Sequence, residues 1–150
     1  MKLSWIDDGL LAAGSLPYTA EDLRSLRSQG VRSILSLTEH PITRFRSVTP
    51  ALLAELGIEC LHAPVVDNLA PDEAQAARIL AWFAALDPAR PAYVHCNAGI
   101  GRTGTVLQLY FLWRGHGLEE AERLVRARRQ QCVLISPEQR AFLRRFVRDP

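Results

Sequence analysis

Residues 92–113 read AYVHCNAGIGRTGTVLQLYFLW, and the fold is decided here. The first five residues are short, apolar or aromatic, and suit a brief buried strand. Residues 105–113 are apolar nearly all round, which predicts a helix at the centre of the molecule rather than on its surface. Between the two, Gly99, Gly101 and Gly104 mark a loop. A strand feeding through a glycine loop into a buried helix is a unit of α/β architecture, in which ligands sit at the carboxyl ends of parallel strands.

The flanking sequence continues the alternation. Trp5-Ile6 and residues 10–12 suggest two short strands around an Asp8-Gly9 turn. Thr19 caps a predicted helix with Glu21 and Asp22 in its first turn and Leu23 and Leu26 on its inner face, and Gly30 ends it. Residues 31–37 read as a buried strand. Thr49-Pro50 opens a short helix that Gly57 closes, and residues 58–66 form the next predicted strand. Pro71 with Asp72 and Glu73 starts a helix, Asp72 matching the positive end of its dipole, and Ala76, Ile79, Leu80 and Phe83 share one face. Helices over about 118–129 and 137–147 complete the pattern. The expectation is a single α/β domain over residues 1–150, with a mostly parallel central sheet and helices on both faces.

Composition narrows the class. A chain of 150 residues, 48% hydrophobic and 23% charged, can bury a core without disulfides or metals, and it resembles neither a disordered nor a fibrous protein. The 105–113 run is far short of the roughly 20 apolar residues that a membrane span needs. The N-terminus turns acidic at Asp7 and Asp8 before a signal peptide could form, so the expected compartment is the cytoplasm. A formal charge of +2 gives no case for nucleic-acid binding. Arginines cluster between Arg123 and Arg148, where solvated helix faces are expected. Cys60, Cys96 and Cys132 have neither metal-ligand nor disulfide-framework spacing, and Cys60 and Cys132 are expected to be packed thiols.

Cys96 and Arg102 enclose Asn97, Ala98, Gly99, Ile100 and Gly101. A loop of this length can turn its N–H groups inward as an anion-binding nest, with glycine permitting the torsions and the close approach this requires. The following helix adds the positive end of its dipole, and Arg102 offers two planar donors to a tetrahedral oxyanion. The same field favours the thiolate of Cys96, which is placed for in-line attack on a bound phosphoryl group. Thr103 can donate its hydroxyl to the sulfur as it leaves. His95 can hydrogen-bond into the loop backbone.

The segment HCNAGIGRTGT resembles the phosphate loop of cysteine-dependent protein tyrosine phosphatases, and the chain as a whole is similar to their compact, atypical dual-specificity branch. Ser4-Trp5, residues 11–14 with Leu16-Pro17, residues 30–32, residues 35–39 and residues 64–67 occur in family-like order around it. The resemblance implies the phosphatase fold, Cys96 as nucleophile and Arg102 as phosphate binder.

A leaving alkoxide or phenolate needs a proton. Asp67 is the candidate donor: it follows a predicted strand and precedes the Pro71 helix, in a loop able to overhang the sheet's carboxyl edge, and residues 64–67 resemble the family's acid loop. Gln139 falls where the family often carries an amide that orients water, while Ser136-x-x-Gln139 also reads as a capping box. Glu39 can pair with Arg102 or simply end a strand. The leading expectation is hydrolysis of phosphotyrosine, and of phosphoserine and phosphothreonine, in protein or peptide substrates without metal or cofactor. Inorganic phosphate or another tetrahedral oxyanion would occupy the loop, and the chain would act as a monomer. A phosphoinositide or nucleotide phosphatase is the alternative, disfavoured because Asn97, Ala98 and Ile100 add no positive charge. A rhodanese-like enzyme and a non-catalytic phosphoprotein-binding module are disfavoured by Arg102-Thr103 and the candidate acid.

Overall fold

Side-chain caps and left-handed glycines set the element boundaries in the computed structural model, which describes residues 1–134 and 136–147. Strands β1 (Ser4–Asp7) and β2 (Leu11–Gly14) are joined by a turn in which Gly9 has φ of 72°. Helix α1 (Ala20–Ser28) opens on a reciprocal cap: Thr19 Oγ1 accepts from the Asp22 amide and the Asp22 carboxylate accepts from the Thr19 amide. β3 (Ser33–Ser36) leads to a 3-10 turn, Ile42–Arg44, and then to α2 (Pro50–Leu56), capped by Thr49 and closed by Gly57 with φ of 67°. β4 (Glu59–His62), α3 (Glu73–Ala84), β5 (Ala92–His95), α4 (Gly101–Trp113), α5 (Leu118–Arg128) and α6 (Pro137–Phe146) follow.

The sheet order is β1-β2-β5-β3-β4, with β1 antiparallel to β2 and every other pairing parallel. β5 therefore lies in the middle. Its last residue, His95, pairs with Gly14 of β2 on one side and Ser36 of β3 on the other, so three carboxyl ends finish level. Alternation along the strands divides the core in two. Leu11, Leu35 and Val94 face α3, α4, α5 and α6, while Ala12, Ile34 and Tyr93 face α1 and α2. Helices thus cover both faces, as the sequence predicts.

Helix α4 is buried from Gly101 through Tyr110 and packs against α3, α5 and α6. It begins four residues before the predicted Thr105, because apolar periodicity marks where side chains pack and not where the backbone first coils. β4 stops at His62, short of the predicted residue 66. Ala63 and Val65 still donate to Ser36 and Leu37 carbonyls, but the intervening Pro64 has no N–H to offer. Asp72 is more than a dipole match: its Oδ1 accepts from the Gln75 amide at 2.8 Å and caps α3. Cys60 is exposed on the edge strand β4, contrary to the expectation of a packed thiol, since one side of that strand has no neighbour. Among the described residues no helix is long and apolar enough to cross a membrane.

Candidate active site

The loop from Cys96 to Gly101 leaves the middle strand, and each of its carbonyls is tied to a donor elsewhere. Cys96 O lies 2.9 Å from His95 Nδ1, and Asn97 O accepts from the Leu16 amide at 3.0 Å. Ala98 O and Gly99 O accept from the Arg129 guanidinium at 3.4 and 2.9 Å. Gly99 O also takes the Cys132 thiol at 3.4 Å, which burial keeps protonated by pushing its pKa up to about 11. Ile100 O accepts from the Gly104 amide and Gly101 O from the Thr105 hydroxyl. Among the described residues none of the amides from Asn97 to Gly101 donates to a protein acceptor. A segment whose carbonyls are all engaged while its amides are free has the geometry that can cradle an anion.

His95 is fully buried between Tyr93, which stacks on it, and Ser36. A carbonyl only accepts, so Nδ1 carries the proton that binds Cys96 O. Nε2, 2.7 Å from Ser36 Oγ, then accepts from that hydroxyl. Burial pushes the imidazole down to about 4, which keeps this neutral tautomer in place.

Arg102, in the first turn of α4, is 5% exposed. Its Nη1 donates to Glu39 Oε1 at 2.6 Å and to Val65 O at 2.8 Å. Its Nε stands 3.5 Å from Asp67 Oδ1 but makes no hydrogen bond. Of the two alternatives raised by the sequence, Glu39 meets the pairing with Arg102; it is half-exposed but lies three residues beyond the end of β3. The hydrogen bond from Arg102 lowers its carboxyl pKa. Asp67 is exposed, its amide donates to Glu39 Oε2, and the next residue, Asn68, takes φ of 67°. Thr103 Oγ1 is buried with no partner.

Cys96 is 4% exposed. A cavity of about 430 Å³ is lined by Asn97 and Arg102 together with Leu16, Glu39, Arg44 and Phe45. Cys96, Asp67 and Gln139 do not line it. Gln139 is buried at the start of α6, where Ser136 Oγ accepts from its amide. Its side chain donates to Leu69 O at 3.2 Å instead of returning to Ser136, so only half of the expected capping box forms. The other half is replaced by a tie to the loop that carries Asp67.

Arg129 corrects the expectation of a wholly solvated arginine run. It is 8% exposed, immediately after α5, and spans Ser4 Oγ, Ala98 O and Gly99 O. No local pattern signals this, because its partners lie far upstream and tertiary packing brings them together. Arg148, from the same run, lies outside the described residues.

Comparison with known proteins gives a consistent result. Residues 1–149 match the family model described as a Swiss Army Knife protein, DSP-PTPase phosphatase domain. The amyloplastic phosphoglucan phosphatase DSP4 of Castanea sativa is 32% identical over 79% of this chain and 34% of its own length. The phosphatidylglycerophosphatase and protein-tyrosine phosphatase 1 of Rattus norvegicus is 26% identical over 95% of this chain and 75% of its own. The chain thus spans about a third of the chestnut relative. The crystal structure of Tk-PTP in its active form superposes with a TM-score of 0.81, at 25% identity, covering 99% of this chain and 97% of that one. With its sheet, its loop and a family match over nearly every residue, the chain belongs to the cysteine-dependent dual-specificity phosphatases.

Proposed function

We propose that the chain hydrolyses phosphomonoesters through Cys96, acting on phosphotyrosine and on phosphoserine and phosphothreonine in proteins. The observation that carries this is the cradle: six consecutive carbonyls engaged elsewhere, with five free amides and the buried Arg102 fork beside them. In the first step the Cys96 thiolate attacks phosphorus, a sulfur–phosphorus bond forms and the bond to the leaving oxygen breaks. The amides of Asn97, Ala98, Gly99, Ile100 and Gly101, with Arg102, hold the non-bridging oxygens. Asp67 gives its proton to the leaving oxygen. In the second step water attacks phosphorus, Asp67 takes the proton back, and Cys96 departs as thiolate under a hydrogen bond from Thr103.

His95 and Gln139 support this arrangement, the first by holding Cys96 O and the second by fastening the Asp67 loop to α6. Leu16 and Phe45 on the cavity wall offer apolar contact to an aryl ring, in favour of phosphotyrosine. The same wall carries Arg44, which favours a second reading, a phosphoinositide whose additional phosphate meets that cation. On this reading residues 1–150 form one catalytic unit and the chain acts as a monomer. An exposed free thiol at Cys60 suits the reducing cytoplasm.

The test is phosphate release from phosphotyrosine, phosphoserine and phosphothreonine peptides and from phosphoinositide vesicles. Cys96→Ser should abolish release from all of them. Asp67→Asn should slow poor leaving groups most and flatten the basic limb of the rate profile. Undiminished turnover by Cys96→Ser would reject the assignment.

A further inference from the structure

We infer that Arg129 is a positioning residue of the oxyanion cradle, turning two of its peptide planes so that their N–H groups point at the bound phosphate. In a trans peptide the C=O and N–H vectors are opposed. The Ala98 carbonyl shares its plane with the Gly99 amide, and the Gly99 carbonyl shares its plane with the Ile100 amide. Drawing both carbonyls toward one guanidinium, at 3.4 and 2.9 Å, sends both amides the other way. The fork of arginine suits this task because its donors are rigidly spaced, and Nη1 anchors it to Ser4 Oγ at 3.2 Å. The fit leaves no slack: a Cβ on Gly99 would lie 2.7 Å from Arg129 Nη2 and 2.5 Å from Gly14 O.

The charge is equally telling. Arg129 is nearly buried, yet the partners named above are neutral, and among the described residues it makes no ion pair. Its neighbour Arg128 is exposed and pairs with Asp8 at 2.7 Å. A buried cation without an anion is costly. Here it lies behind peptide planes whose far side is the proposed seat of a phosphate dianion, so that anion, together with the Cys96 thiolate of the proposed mechanism, supplies the countercharge.

This inference rests on the ring of residues 96–102 being the phosphate site. Its test reads that ring without turnover: calorimetric titration of the full chain with orthovanadate, alongside thermal melts with and without it. Arg129→Lys keeps the charge but not the fork, and should weaken vanadate at least about tenfold. Arg129→Met should weaken it about a hundredfold or more and shrink the vanadate-induced rise in melting temperature. Arg128→Met is the control and should bind vanadate like the parent. A role in packing alone would lower the melting temperature while leaving vanadate affinity intact, and that result would overturn the inference. If Arg129→Met does not fold, Arg129→Lys decides: affinity within about twofold of the parent rejects the fork. Turnover by Cys96→Ser would instead reject the nucleophile, and the vanadate titration would still read the cradle.

Discussion

Glu39 grips Arg102 at 2.6 Å with one carboxylate oxygen while the other accepts the Asp67 amide at 3.2 Å. One side chain, three residues beyond the end of β3, therefore sets the positions of both the Arg102 guanidinium and the loop that carries Asp67.

Removing that charge has a defined pH signature. The Arg102 hydrogen bond lowers the Glu39 carboxyl below its ordinary 4.5. The stability it adds is complete above that ordinary value and disappears as pH falls through the lowered one. Because the Glu39 carboxylate is half-exposed, Glu39→Gln should cost about 0.2–1 kcal/mol near pH 7 and a smaller amount near pH 3, below the ordinary carboxyl value. Urea unfolding at the two pH values checks this. A gap of equal size at both would contradict it.

His95 acts at higher pH. Burial holds the folded imidazole at about 4, against an ordinary 6.5. Stability is full above 6.5 and falls as pH drops toward 4, since only the unfolded chain binds the proton; the loss approaches about 3 kcal/mol. His95→Gln should remove this part of the slope, although it lowers stability overall. Unfolding free energies measured across the interval should show a shallower line for the variant; an unchanged slope would assign the proton elsewhere.

Thr103 separates stability from turnover. Its hydroxyl is buried without a partner, so Thr103→Val should leave the unliganded protein as stable, or more stable by about 1 kcal/mol. Breakdown of the cysteinyl-phosphate should slow about 10–100-fold, giving a burst of leaving group and then a slow steady state. Rapid-quench kinetics and a melting curve test both halves. Lower stability with no burst would refute the role.

Gly99 and Gly115 form a natural control pair. Both have positive φ, 72° and 103°, but a Cβ on Gly115 meets nothing within 4 Å. Gly115→Ala should cost about 1 kcal/mol from backbone conformation alone. Gly99→Ala should cost more than about 2 kcal/mol and also weaken vanadate. Equal losses would show that the cradle tolerates displacement.

Much of this was legible in the residues themselves. Thr19, Thr49, Gly30 and Gly57 are local signals, and each acts where its chemistry places it. Cys96 and Arg102 stand out because their spacing is a property of a single loop. Arg129 is hidden for the opposite reason: its partners, Ser4, Ala98 and Gly99, are remote in the chain, and a surface arginine on a helix has the same sequence signature. The Gln139 side chain was ambiguous because its acceptor, Leu69 O, belongs to a different loop. The start of α4 leaves no apolar signal in the sequence because small and polar residues, 101–104, open it.

The middle position of β5 has a wider consequence. The loop that begins at Cys96 grows from a strand flanked on both sides, whereas Arg44 and Phe45, on the wall of the cavity beside it, come from the peripheral segment between β3 and α2. On the proposed reading, exchanging Arg44 or Phe45 should alter which ester the cavity accepts while leaving the Cys96 loop, rooted in the middle strand, in place.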